Sequence, residues 1–117
     1  MKHYVVILDR AHIPGELRIP DFDHVWVEHP DTAPGECGEP LWRASMGVTA
    51  EVPVSAADLA RCLKLRWLVV TGPSRDIVDA DVCAERGIGI VHMPSNEKDS
   101  QAFAEALMDC LEELAHR

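Results

Sequence analysis

A chain of 117 residues, 47% of them hydrophobic, is the size of one domain and long enough to bury a core without staples. With 20 acidic residues against 11 Lys and Arg, a formal charge of −9 and no basic stretch, it lacks the concentrated positive charge that nucleic acids and anionic membranes require. Cys37, Cys62, Cys83 and Cys110 form no Cys-x-x-Cys pair, which excludes a zinc ribbon and a thioredoxin-type motif.

The first strand is expected at residues 4–9, a continuous apolar run of the kind covered on both faces of a sheet. Its five apolar residues are too few for a signal sequence, and no run approaches a membrane span, so a soluble, cytoplasmic protein is expected. Residues 25–28 give a second strand. The connection between them carries Pro14, Gly15 and Pro20, so any helix there is short or irregular. Residues 29–40, with Pro30, Pro34, Pro40 and two glycines, read as loop, and Leu41 to Met46 as a helical turn before Gly47. Residues 48–54 alternate loosely and form a third strand that Pro53 ends.

Ser55 and Asp58 have the spacing of a capping box, with Asp standing in for the longer Glu, and open a helix over 56–63. Residues 67–70 and 88–91 are the fourth and fifth strands. Between them runs a compact helix that Asp79 caps and Gly87 stops. The last helix, 99–116, places Phe103, Leu107, Cys110, Leu111 and Leu114 on one face, with Asp109, Glu112 and Glu113 turned away. Cys62, Cys83 and Cys110 fall among apolar residues, where a buried reduced thiol is the usual state. Strands alternating with helices imply an α/β fold, a flavodoxin-like open parallel sheet of about five strands with a trailing C-terminal helix.

Ligands of such sheets bind beyond the carboxyl ends of the strands, which is where Thr71 to Asp76 lie. The run Gly72, Asp76, Val78, Asp79, then Arg86, Gly87 and Ile88, resembles the Gly-x-Gly-x-Asp-x-Val-Asp segment of the D-isomer-specific 2-hydroxyacid dehydrogenases and the helix and Arg-Gly-Ile that follow it. Residues 63–70 resemble that family's approach to the strand. Met93, Pro94 and the Phe103-Ala104-Glu105-Ala106-Leu107 run resemble its crossing into the connecting helix. The resemblance covers about 63–115.

It implies a substrate-binding domain at 1–98, and at 99–117 the connecting helix that begins the nucleotide-binding domain. In the family the loop after strand four offers backbone N–H groups to the substrate carboxylate, so the resemblance implies substrate binding at Gly72, Ser74, Arg75 and Asn96. Two departures stand out. Ser74 replaces the second glycine beside Pro73, which has no N–H to give, and the stretch from Pro94 to Ala104 is two residues longer than the family's. Arg75 is either a direct partner for the carboxylate or a solvated loop arginine. Ser95 and Asn96 either approach the substrate or form a hydrophilic loop. Asp76 and Asp79 read as turn and cap residues.

The family's hydride transfer needs a Gly-x-Gly-x-x-Gly turn, a carboxylate-holding arginine and a histidine with an acidic partner, all in the nucleotide-binding domain. None is recognisable in residues 1–117, where Gly87 and Gly89 merely end a helix and start a strand. No catalytic residue is therefore assigned, and NAD or NADP is implied only if a nucleotide-binding domain is supplied. One expectation is thus an oxidoreductase domain, incompetent alone. The alternative is a stand-alone, non-catalytic module of that descent that binds a small acid or a protein.

His24 and His29, five apart, fall on opposite faces of a strand, which is poor for chelation, and His92 at the end of strand five suits a structural hydrogen bond. A phospho-acceptor receiver is excluded, because Asp9 after strand one has no acidic neighbour, strand three no following Asp, and strand five no following Lys. Burying Phe103, Leu107, Leu111 and Leu114 is worth about 6–10 kcal/mol, so their face demands cover. That predicts a homo-oligomer, such as a dimer, through helix 99–116, or a nucleotide-binding partner domain, unless the helix folds back on its own sheet.

Overall fold

The computed structural model describes residues 2–72, 76–93 and 99–117. Strands β1 (His3–Ile7), β2 (His24–Glu28), β3 (Met46–Thr49), β4 (Trp67–Val70) and β5 (Gly89–His92) form one parallel sheet in the order β2-β1-β3-β4-β5. This is the flavodoxin-like arrangement, and its central strands read as unbroken apolar runs because both faces are covered. Helices α1 (Gly38–Leu41), α2 (Ala56–Leu59) and α3 (Ala80–Arg86) are short, whereas α4 (Ser100–Ala115) is long.

Alternation along the strands sorts the core into two layers. Val6, Leu8, Leu68 and Val70 pack with Leu41, Leu59 and Cys83, which belong to the three short helices. Val5, Ile7, Met46, Val48 and Val69 pack with Phe103, Leu107, Met108, Leu111 and Leu114 of α4. The apolar stripe of α4 is therefore covered by the chain's own sheet, with Leu107 and Leu111 fully buried. The segment before β2 straps the helix down. Arg18 pairs with Asp109 at 2.8 Å and Glu112 at 2.7 Å, and Gln101 exchanges hydrogen bonds with the Glu16 backbone at 3.0 and 3.1 Å.

β4, α3, β5 and α4 fall within a residue or two of their expected places. The connection after β1 holds only a 3-10 turn, Arg10–His12, as its prolines required. Three expectations need correction. The helical turn expected from Leu41 to Met46 lies earlier, at Gly38–Leu41, inside the segment read as loop. The Asp58 carboxylate accepts the Gly38 N–H at 3.1 Å, and Pro40 is tolerated because it sits in the first turn. The third strand runs from Met46 to Thr49 rather than from 48 to 54, because the next three residues turn around Asp9; Val54 keeps only an isolated bridge to Val78. Helix α2 is a single turn. Its continuation tightens to i→i−3 bonds from Arg61 to Asp58 and from Cys62 to Leu59, and the Arg86 guanidinium takes the carbonyls of Leu59 and Cys62. The capping box itself is formed in both directions, at 3.2 Å from Asp58 N–H to Ser55 Oγ and 3.1 Å from Ser55 N–H to Asp58 Oδ2.

Candidate functional site at the carboxyl edge of the sheet

The chain leaves β1 toward β2 on one side and leaves β3 toward β4 on the other, so the carboxyl ends of β1 and β3 bound the point where strand order reverses. Asp9 stands there. Two residues beyond β1, it is fully buried, and its carboxylate accepts the N–H groups of Ala50 at 2.9 Å, Glu51 at 2.7 Å and Val52 at 3.2 Å. Three donors converging on one carboxylate satisfy a buried charge that would otherwise cost several kcal/mol. Thr49, also fully buried, closes the same turn by donating from Oγ1 to the Val52 carbonyl at 2.7 Å. The turn after β3 is thereby fixed to the end of β1.

Above it the surface is acidic. His12 lies between Glu51 at 3.2 Å and Asp31 at 3.9 Å, over a cleft of about 150 Å³ that Asp9, Thr32 and Pro53 also line. Thr32 donates to the Leu8 carbonyl at 2.6 Å and ties the loop after β2 to β1. A wider hollow of about 470 Å³ continues from Asp31 and Thr32 past Glu36 and Glu39 to Arg61.

Gly72 follows β4 at this edge. A Cβ on it would collide with the Ala50 carbonyl oxygen, so a glycine is needed for the loop after β4 to lie on the turn after β3. Thr71, 4% exposed, donates its N–H to Thr49 O at 2.9 Å and completes that junction. Of the four residues expected to meet a substrate, Gly72 is placed here, whereas Ser74, Arg75 and Asn96 lie outside the described residues. Asp76 is an exposed bend residue, and Asp79 caps α3 by accepting the Val82 N–H at 3.2 Å, as their turn and cap readings required. Gly87 has φ 71° and ends α3 in the left-handed conformation.

The histidines separate. His24 Nδ1 lies 2.8 Å from the Phe22 carbonyl, and its ring meets Phe22 and Trp26 edge-on, while His29 stands at the other end of β2 beside the wide hollow. His92 ends β5, and its buried Nδ1 has no hydrogen-bond partner among the described residues. Among the described residues no group of three or more His, Cys, Asp or Glu side chains is placed to hold a metal ion. The thiols are poor nucleophiles. Burial, with Asp58, Asp9 and Cys62 nearby, pushes Cys37 up to about 12, and burial pushes Cys62 up to about 11. Cys62 and Cys83 are buried, while Cys110 keeps part of its surface.

Gly87 and Gly89 do not form a dinucleotide-binding turn. Gly87 closes a helix, and Gly89 lies in β5 with the Trp67 ring where its Cβ would be. Neither opens the strand-to-helix turn that cradles a pyrophosphate. Among the described residues no helix is long and apolar enough to cross a membrane.

Sequence reasoning singled out Gly72 and Asp79 but not Asp9, the centre of this edge. Asp9 was noted only for lacking an acidic partner, and its actual partners are backbone N–H groups about forty residues on. The available signal was a carboxylate directly after a buried apolar strand, a position whose charge must find donors. No protein-family model matches the chain. Over 88 residues the chain is 28% identical to a Haemophilus influenzae protein named "Putative 2-hydroxyacid dehydrogenase". The match takes in 74% of this chain but only 28% of that protein, so the chain corresponds to less than a third of its relative's length. This similarity suggests a 2-hydroxyacid dehydrogenase family.

Proposed function

We propose that the chain acts as the substrate-binding domain of a D-2-hydroxyacid dehydrogenase-like oxidoreductase. With a nucleotide-binding domain from a longer chain or a partner, it would interconvert 2-hydroxy and 2-oxo acids with NAD or NADP. The observation that carries this reading is the unit β4, Gly72 loop, Asp79-capped α3, Gly87 stop and β5, which ends at the carboxyl edge of the sheet. The similarity to the Haemophilus influenzae protein supports it. In this role the chain binds the acid, and we assign that binding to Gly72, Ser74, Arg75 and Asn96. NAD or NADP supplies the hydride, and proton transfer falls to groups outside the described residues. We place the protein in the cytoplasm, a reading that four free thiols support.

A second reading, a non-catalytic module that binds a small acid or a protein, is favoured by the acidity of the edge. Asp9 already occupies three N–H groups, and Asp31 and Glu51 flank His12. Titration of 15N-labelled protein with pyruvate tests the first reading. It predicts saturable shifts of the Thr71 and Gly72 amides, with no NADH oxidation by the chain alone. Unshifted amides at this edge would overturn it and leave the protein-binding module.

A further inference from the structure

The amino edge of the sheet, opposite the acidic cleft, has a different character. Beneath the first residues of β1 and β2 and the approaches to β3 and β4 lies a pocket of about 380 Å³. Lys2, Arg43, Lys64 and Arg66 surround it, four of the chain's 11 Lys and Arg residues, and none of its seven lining residues is acidic. In a chain of net charge −9 that is a pronounced separation of charge. Among the described residues no carboxylate lies within 4.0 Å of any of the four.

We propose that this pocket binds a small organic polyanion, a molecule with at least two phosphate or carboxylate charges and an apolar part. Four unneutralised cations around one concavity repel each other, and an anion placed among them relieves that repulsion and gains charge-assisted hydrogen bonds. Arg43 is held for this, its guanidinium stacked 4.5 Å from the centre of the Trp42 ring. Tyr4 and Val25, paired across β1 and β2, provide an apolar wall that a bare ion would not use. The volume suits a small ligand, since such sites span about 300–1,000 Å³. A nucleic acid or an anionic membrane would bring the rest of this acidic surface against its own charge, whereas a small anion would not.

ADP and inorganic pyrophosphate are suitable probes, titrated calorimetrically into the full chain. Saturable binding with Kd below about 1 mM is expected for both, tighter for ADP because its rings lie against Tyr4 and Val25. Arg66→Ala should weaken both by about tenfold or more. Arg61→Ala, which removes the same charge from the hollow at the opposite edge, should leave them within about twofold. A thermal melt checks that Arg66→Ala still folds, as expected of an exposed side chain. No saturation by either probe, or equal losses from Arg66→Ala and Arg61→Ala, would overturn the proposal. Tighter binding of duplex DNA or of phosphatidylserine vesicles than of ADP would do the same.

Discussion

The two edges of this sheet solve opposite electrostatic problems. At the carboxyl edge a negative charge is buried and fully answered: Asp9 is inaccessible and receives three backbone N–H groups. At the amino edge four positive charges are exposed and unanswered among the described residues. The first arrangement contributes to stability, because removing its centre strands several buried donors. The second adds nothing to stability, and so points to a ligand. Charge that the fold needs is buried and satisfied, while charge held in reserve stays at the surface.

The largest expected effect breaks the carboxyl edge. Asp9→Asn keeps the size but turns an amide NH₂ toward backbone donors, and should destabilise the fold by about 3 kcal/mol or more. Urea unfolding measures this; a loss below about 1 kcal/mol would mean the three bonds are not what holds the turn. Next, Gly72→Ala forces the loop after β4 off the Ala50 carbonyl and should cost about 2 kcal/mol, read the same way.

A smaller effect concerns the buried thiols beneath the short helices. Cys37 and Cys62 ionise only near about 12 and about 11 in the fold, against an ordinary value of 9.0. Above that ordinary value the unfolded chain loses protons that the native chain keeps. Their contribution is thus whole below pH 9 and declines from there toward pH 11. Unfolding measured across that range should show the decline, and Cys37→Ala with Cys62→Ala should flatten it. The smallest effect sharpens the contrast: Arg66→Ala at the amino edge should change stability by no more than about 0.5 kcal/mol, or raise it slightly.

What was legible in the sequence follows the range of the forces involved. β4, α3, β5 and α4 are written in local terms: an apolar run, the Asp79 cap, the Gly87 stop, and a stripe from Phe103 to Leu114. The stretch from 29 to 54 is not. Helix α1 begins where it does because Asp58, twenty residues on, accepts the Gly38 N–H, and β3 ends early because Asp9, about forty residues back, gathers the next three N–H groups. No periodicity announces such bonds. The same holds for the site. Gly72 was visible as a glycine in a strand-end loop, but its reason, the Ala50 carbonyl, exists only in the folded chain. The destination of α4 was a choice between partners that only packing resolves, and the chain's own sheet covers it.

The most direct test of the two-edge account is a single NMR experiment on 15N-labelled protein, titrated first with pyruvate and then with pyrophosphate. The account predicts two disjoint sets of shifted amides, Thr71 and Gly72 with the Ala50–Val52 turn for pyruvate, and Lys2, Tyr4, Lys64 and Arg66 for pyrophosphate. Shifts from both anions at the same edge, or from neither at its own, would contradict it.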